Sequence, residues 1–367
     1  MPGLKVGITE VLFQGAELPP TMGATDLVAP REVFRTDDGR LARQLIQSAI
    51  QKANDMIYRT AQRQAQCKGM GTTLVAALFR DDRVTVAHVG DCRLYRLRDD
   101  AFKQITVDHS LQQELINKGF YTPEEAREAV SKNIVTRAIG VEPTVDADLA
   151  EELIREGDVY LLCSDGLSDL LEDAEIQFIL QQFNPDLEAA AEALVKSAND
   201  KGGKDNISVV LARPAARTES EQMIGECPAV SATMQIVSRS DVGRKRSHNE
   251  DNVRTDSAIG IAVLADGMSG YNAGEVASAI AVNLIADELQ KGLQRLAANG
   301  ADEAVLEEEA SAVVDNTSFD GEYLQGLLGE RAIEVEEITI GDVEAAHDAP
   351  AVIDHHTEMA RNLEIGS

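Results

Sequence analysis

The chain has 367 residues, of which 44% are hydrophobic, and a formal net charge of −29 at pH 7. Nucleic acids and membrane surfaces are bound by basic patches, so this acidic excess argues against both as partners. No run approaches the ~20 apolar residues of a membrane span. The four cysteines are widely spaced and form no Cys-x-x-Cys pair, so we expect a cytoplasmic protein without disulfides.

The first part of the chain predicts one long helix followed by short strands. Residues 1–30 contain several prolines and glycines and are expected to form a flexible leader. From Asp38 to about Gln66, apolar residues recur at helical spacing, which predicts a long amphipathic helix. Polar turn clusters then separate predicted strands over residues 73–79, 84–89, 94–97 and 102–105.

The middle and last parts predict helices and strands in two blocks. A polar helical stretch from Ser110 to about Lys132 precedes the apolar strand Val159–Cys163. Helices over 174–183 and 187–198 and a strand over 206–212 complete the first block. After a polar connector, the second block predicts strands over 235–237 and 259–265 and a helix over 273–291. Residues 292–367 are expected to form an acidic tail that is solvated or disordered.

Two of the apolar strands end in the same dipeptide, Asp165-Gly166 and Asp266-Gly267. A single Asp-Gly is ordinarily a turn. Asp108 and Asp205 also border apolar runs, so together these residues indicate a carboxylate cluster. Carboxylates that share a partly buried place stay ionised only when cations neutralise them. The pattern therefore predicts a site that binds several metal ions through oxygen ligands.

Six short motifs carry a family resemblance. They are Arg246-Ser247-His248-Asn249-Glu250-Asp251; Asp266-Gly267-Met268-Ser269-Gly270 with Gly274-Glu275; Gly69-Met70-Gly71-Thr72-Thr73; Val89-Gly90-Asp91-Cys92-Arg93-Leu94-Tyr95; Ser164-Asp165-Gly166-Leu167; and Gly202-Gly203-Lys204-Asp205-Asn206. In combination they resemble the bacterial members of the type-2C (PPM) metal-dependent protein serine/threonine phosphatases. The resemblance implies an α+β fold, a four-layer α-β-β-α sandwich of two antiparallel sheets flanked by helices.

The order of the motifs differs from that of the family. The Arg…Asn-Glu-Asp and Asp-Gly-Met segments open the family's domain, whereas here they close it. The chain thus resembles a circularly permuted member. Residues 31–213 would be the C-terminal part of the domain, 214–233 a connector, and 234–291 the N-terminal part. Domain termini often lie close together, so such a rearrangement is physically tolerable.

The resemblance also implies roles for individual residues. Asp266 would bridge two ions, the Gly267 carbonyl would complete one of them, and Asp165 and Asp205 would hold the other. Asp108 would join Asp165 at a third, weaker ion. Oxygen ligands of this kind suit Mn²⁺ or Mg²⁺.

The reaction implied is hydrolysis of phosphoserine and phosphothreonine in proteins by a water that two metal ions activate. The partners would be phosphorylated proteins and an opposing serine/threonine kinase. Arg246 would clamp the phosphate with its planar guanidinium, the alternative being a solvated surface arginine. Glu250 and Asp251 would orient metal-bound waters by hydrogen bonds.

Several alternatives stay open at the level of sequence. Met268 stands where eukaryotic relatives have a histidine acid, and His109 either substitutes for it or only supports its loop. His355-His356 reads as part of a solvated tail rather than a metal site. Ser269 and the permuted order motivate an alternative function, a catalytically impaired phosphatase-like binding or regulatory domain. We expect a monomer, with a domain-swapped dimer as the alternative if the connector is strained.

Overall fold

The computed structural model describes residues 36–80, 82–131, 134–215, 234–268 and 273–299. From Asp37 onward they belong to one structural unit. The predicted leader, nearly all of the predicted connector, the tail beyond residue 299, Ser269 and His355-His356 lie outside the described residues.

The elements of the first block are helix α1 (Thr36–Arg63), strands β1 (Thr72–Arg80), β2 (Arg83–Val89), β3 (Arg93–Arg98) and β4 (Ala101–Gln104), helices α2 (Leu111–Asn117) and α3 (Pro123–Ala129), strands β5 (Asp148–Leu153) and β6 (Val159–Cys163), helices α4 (Asp165–Ser168), α5 (Asp173–Phe183) and α6 (Leu187–Asp200), and strand β7 (Ile207–Pro214). Those of the second block are strands β8 (Met234–Asp241), β9 (Asp251–Asp256) and β10 (Ile261–Gly267) and helix α7 (Gly274–Asn299).

The described strands form two sheets of five. One has the order β5-β2-β1-β10-β9 and the other the order β4-β3-β6-β7-β8. Every pairing in both sheets is antiparallel. The predicted α+β fold with two antiparallel sheets flanked by helices is therefore confirmed.

Strand β1 shows why the layers stack as they do. Successive side chains of a strand point to opposite faces. Leu74, Ala76 and Leu78 pack into a core shared with α1 and α7. The alternate residues of the same strand face the second sheet and join the core between the two sheets. On the far side, α4, α5 and α6 cover the second sheet with a third core.

The two blocks of the chain are interleaved within the sheets. Strand β10 pairs with β1, and strand β8 pairs with β7, so each sheet contains strands from both blocks. Pro214 at the end of β7 and Met234 at the start of β8 are register partners. Paired strands lie about 5 Å apart, so the ends that the connector joins are already neighbours.

Three local features refine the predictions. The sequence pattern does not predict strands β5 and β9, because Asp148–Leu153 and Asp251–Asp256 are too polar to read as strands. The last helix continues to Asn299 and buries Leu296, so the predicted boundary of the tail at residue 292 is wrong by two turns. The helical stretch predicted from Ser110 to about Lys132 forms two helices, α2 and α3, and α3 begins after a reciprocal capping box between Thr122 and Glu125.

Among the helices in the described ranges, none is both long enough and apolar enough to cross a bilayer.

Candidate metal centre

The sheet that contains β9 and β10 brings two aspartates together. Asp266 near the end of β10 is the register partner of Asp251 at the start of β9. The Thr72 hydroxyl donates a hydrogen bond of 2.7 Å to the Asp266 carbonyl oxygen, which fixes the end of the strand. Residues paired across antiparallel strands have Cβ atoms about 5 Å apart, so the two carboxylates share one place.

The second sheet delivers two more aspartates to the same place. Asp165 follows β6 and Asp205 precedes β7. Gly166 allows the two segments to touch, because a Cβ built on it would lie 1.8 Å from the backbone oxygen of Asn206. No other residue type fits that approach without moving the backbone.

Serine hydroxyls join the two sheets at this point. The Ser164 hydroxyl donates to Asp251 Oδ2 at 2.9 Å and accepts from the backbone N–H of Ser208 at 3.0 Å. Ser164 is fully buried, so each of these bonds is made away from water. The Asp251 carboxylate, from the second block, is thereby held by Ser164, from the first block.

Asn206 fastens the Arg246–Glu250 loop to the first block. Its amide nitrogen donates to the carbonyls of Val242 (3.0 Å) and His248 (2.9 Å), and its side-chain oxygen accepts from the backbone N–H of Glu250 (2.8 Å). Three bonds from one buried side chain fix the loop that carries the predicted phosphate clamp.

The electrostatics of the cluster are those of crowded, buried carboxylates. Burial raises the pKa of Asp165 well above its usual range, and the charges of Asp91 and Asp205 raise it further. Burial likewise raises the pKa of Asp266, with the nearby Asp251 carboxylate adding to it. Burial raises the pKa of Asp251 to about 6, against hydrogen bonds from serines that favour the charged form.

Two acidic residues belong to this cluster that sequence reasoning did not single out. The pKa of Asp91 is raised to about 6, first by burial and then by the charge of Asp108. Asp169, one turn after Asp165, raises the pKa of both Asp91 and Asp165. A signal for Asp91 was present, since it follows strand β2 and Gly90 much as the other aspartates follow their strands.

Asp108 lies beside Asp91 but is engaged by an arginine. Arg93 donates to both of its carboxylate oxygens, at 3.0, 3.1 and 2.7 Å, and Gln104 adds a fourth bond of 3.0 Å. A cation bound by Asp108 would have to share that carboxylate with Arg93. The role of Asp108 at a third ion stays a prediction.

Arg246 borders the cluster through an ion pair. Its Nη2 atom lies 2.5 Å from Asp205 Oδ2, and the arginine side chain is 35% exposed, so it faces both the carboxylates and solvent. Glu250 is nearly buried and its Oε1 lies 3.1 Å from Nε2 of His248. His248, Glu250 and Glu275 bring potential metal-ligand atoms within 4.8 Å of one another.

His109 is placed where it supports its loop. It is 7% exposed and stacks on His88 with ring centroids 4.6 Å apart. Its Nδ1 atom accepts from the backbone N–H of Gly90 at 3.1 Å, and its own backbone N–H donates to the Gly90 carbonyl at 2.8 Å. Burial lowers its pKa, so the ring is neutral near pH 7. These contacts favour the supporting role over that of a proton donor.

The residues present fit divalent cations. Asp165, Asp205, Asp251 and Asp266 offer only oxygen atoms, which hard cations prefer. Asp251 Oδ1 is buried and has no hydrogen-bond partner among the described atoms. An unpartnered buried carboxylate oxygen is costly, and a cation beside it would remove that cost.

A two-sheet α+β sandwich that gathers oxygen-only carboxylates at its strand ends has the ligand set of a protein that binds hard divalent cations. The family description "Protein phosphatase 2C" matches residues 24–207. The chain belongs to the protein phosphatase 2C family.

Individual relatives agree with this assignment. The chain is 41% identical over 166 residues to the serine/threonine phosphatase stp of Listeria innocua, a match that covers 45% of this chain and 66% of that protein. It is 36% identical over 190 residues to the protein phosphatase PhpP of Streptococcus pneumoniae, covering 52% of this chain and 76% of that one. The chain thus spans just under two thirds of the length of the Listeria relative.

Solved structures give matches of similar identity. The serine/threonine phosphatase PstP/Ppp of Mycobacterium tuberculosis is 34% identical, with a TM-score of 0.41 and coverage of 47% of this chain and 80% of that one. Stp1 of Staphylococcus aureus is 36% identical, with a TM-score of 0.46 and coverage of 48% and 69%. Both scores lie below 0.5, so the fold assignment rests on the chain's own sheets and on the sequence matches.

Proposed function

We propose that the chain is a Mn²⁺- or Mg²⁺-dependent phosphatase of phosphoserine and phosphothreonine in proteins. The observation that carries this is the buried convergence of Asp165, Asp205, Asp251 and Asp266, with one carboxylate oxygen left without a partner among the described atoms. Family membership supports the same reaction. Two divalent ions, when bound, supply charge neutralisation for the phosphate and a lowered pKa for the attacking water.

Individual residues of the chain hold the ions and orient the water. Asp266 and the Gly267 carbonyl would hold one ion, and Asp165 and Asp205, together with Asp266, would hold the other. Asp108, which Arg93 engages, would help to hold a third ion. Glu250 and Asp251 accept hydrogen bonds from water and orient it.

Arg246 binds the phosphate of the substrate. Its ion pair with Asp205 holds the guanidinium at the edge of the cluster, and its five N–H donors allow it to keep that pair while it meets phosphate oxygens.

We also propose that the domain is circularly permuted, with residues 31–213 and 234–291 as its two parts. The strand pairs β1–β10 and β7–β8 support this, since each sheet needs both parts. Pro214 and Met234 are register partners, so the two strand ends that the connector joins lie side by side, which supports a monomer rather than exchanged blocks. The partners proposed are phosphorylated proteins and an opposing kinase. The buried free thiols of Cys67, Cys92 and Cys163 support a reducing compartment such as the cytoplasm.

The test of function is a metal-dependence assay. With Mn²⁺ the protein should hydrolyse p-nitrophenyl phosphate and a phosphothreonine peptide, and excess EDTA should remove both activities. Turnover that survives EDTA would contradict the proposal. Metal binding without turnover would favour the alternative of an impaired binding domain.

Metal binding itself is measured by thermal unfolding, which needs no turnover. The folded-state pKa values of Asp91 and Asp251 are about 6, above the usual 3.8. Their protonation therefore stabilises the metal-free fold below about pH 4, and this contribution is lost as the pH rises to about 6. A fixed Mn²⁺ concentration, equal to 100 times the Kd at pH 7.5, adds about 2.7 kcal/mol at that pH, or about 5–10 °C in Tm. At the same Mn²⁺ concentration, we expect a larger rise in Tm at pH 7.5 than at pH 5.5. Equal rises in Tm at the two pH values would contradict the carboxylate cluster as the Mn²⁺ site.

Removal of the Arg246 side chain should lower the phosphatase activity without unfolding the protein. Arg246→Ala is expected to lower kcat/KM for the phosphothreonine peptide by about 10–100-fold, because a charge-assisted bond to phosphate contributes about 1.5–3 kcal/mol. Arg239→Ala is the matched control, since Arg239 is about half exposed and pairs with Glu188 on the outer face. A loss of the same size in both variants would point to a general charge effect.

A further inference from the structure

A cavity of about 460 Å³ lies against the carboxylate cluster. Asp165 and Asp205 contribute to its lining. It is also lined by Arg127, in the last turn of α3, by Ser131, two residues after that helix, and by Lys204, in the segment before β7. Its volume is in the range of pockets that bind whole small ligands, so it offers more room than one phosphate group needs.

The two cations of this cavity differ from the other basic residues near the cluster. Arg93 is paired with Asp108, and Arg246 with Asp205. Arg127 and Lys204 are both exposed, and neither has a carboxylate partner within the part of the chain that the structure describes. In a protein with a net charge of −29, two such cations at the edge of an acidic site mark a place for an incoming anion.

We propose that Arg127 and Lys204 bind a second anionic group of the substrate, an acidic side chain or a second phosphate near the phosphoresidue that is hydrolysed. This rests on the proposed function, because it presumes that the first phosphate is bound at the carboxylate cluster. The guanidinium of Arg127 can meet two oxygens of a carboxylate or phosphate, and Lys204 and the Ser131 hydroxyl add single donors. The preferred substrates are therefore acidic or multiply phosphorylated peptides.

The experiment compares three peptides that share one phosphothreonine. One has neutral flanking residues, one has glutamates on both sides within three residues, and one has a second phosphothreonine in that range. We expect kcat/KM with Mn²⁺ to be about fivefold higher for the glutamate peptide than for the neutral one, the effect of about 1 kcal/mol from a partly exposed ion pair. If kcat/KM rises for both anionic peptides, the site accepts either a carboxylate or a phosphate. If it rises only for the doubly phosphorylated peptide, the site is specific for phosphate. Equal values for all three overturn the proposal.

Variants assign the effect to the two cations. In Arg127→Gln and Lys204→Gln the ratio of kcat/KM between the glutamate and neutral peptides should fall towards one, and in Arg127→Lys it should be partly kept. Lys118→Gln is the control, because Lys118 follows α2, is exposed and pairs with Glu114. An unchanged ratio in the first two variants, or an equal fall in the control, overturns the proposal.

Binding without turnover gives a second readout. Fluorescence anisotropy with peptides that carry a non-hydrolysable phosphonate should show the same ratio in Kd as the kinetics show in kcat/KM. If wild-type protein with Mn²⁺ fails to hydrolyse even p-nitrophenyl phosphate, the proposed function fails. If it hydrolyses that compound but treats the three peptides alike, only the second anion site fails.

Discussion

Replacing Asp266 by asparagine should abolish Mn²⁺-dependent hydrolysis of p-nitrophenyl phosphate, with kcat lowered by about a thousandfold or more. Asp266 is the carboxylate that both ions are proposed to share, so its loss removes charge from both. The change is nearly isosteric, and the bond from the Thr72 hydroxyl goes to the backbone oxygen of residue 266, so the strand end is kept.

The same substitution should stabilise the metal-free protein. Burial and the neighbouring Asp251 carboxylate disfavour the charged form of Asp266, and the asparagine has no charge to bury. We therefore expect a higher Tm than wild type at pH 7.5 in EDTA, together with loss of the Mn²⁺-induced rise. Asp55→Asn on α1 is the control, since Asp55 pairs with Arg59 on the outer surface. An active Asp266→Asn enzyme would refute the proposed site.

Gly166→Ala should be strongly destabilising, because the clash of its Cβ would be the tightest among the glycines in the described ranges. Its Cβ would stand 1.8 Å from the Asn206 carbonyl oxygen, so the start of β7 must move away from α4. Insertion into a rigid contact costs about 1–3 kcal/mol and more when only backbone can yield. Because Asp165 and Asp205 flank this contact, we expect chemical denaturation to show a loss of about 3 kcal/mol and the Mn²⁺ response to weaken.

Gly119→Ala is the control that separates the steric clash at Gly166 from the general cost of replacing a glycine by alanine. Gly119 has a φ of +73°, and beyond its chain neighbours no atom of the described residues lies within 4 Å of the position that its Cβ would take, so Gly119→Ala introduces strain without a clash. It should cost about 1–2 kcal/mol and leave the Mn²⁺-induced rise in Tm intact. If both variants lose the metal response equally, the contact at Gly166 does not set the spacing of the aspartates.

The fold could be predicted where burial leaves a simple pattern. Strand β6 matches its predicted bounds, since Val159–Cys163 is apolar throughout and buried on both faces. Strand β9 could not be predicted from Asp251–Asp256, because most of its side chains are polar and face the site or solvent. The strand is stabilised by its pairing with β10, which the local sequence does not reveal. The end of α7 was missed for a related reason: Leu296 is buried by tertiary contact, which a local pattern does not reveal.

The candidate site could be predicted only in part. The aspartates that follow or precede strongly apolar strands, Asp165, Asp205 and Asp266, were found from their positions in sequence and are brought together by the fold. Asp169 was missed because its place depends on one turn of α4. The ion pair between Asp108 and Arg93 likewise forms because two segments meet in space. The spacing of residues in the sequence does not show which cation pairs with a given carboxylate.

The interleaving of β1 with β10 and of β7 with β8 has a consequence for biosynthesis. Until residues 234–267 leave the ribosome, β1 and β7 each present an open hydrogen-bonding edge, and the apolar layer between the sheets is only partly covered. Open edges of this kind recruit strands from other chains. A nascent or truncated polypeptide that stops before Met234 should therefore aggregate, and chaperone dependence should end only when β10 closes the first sheet.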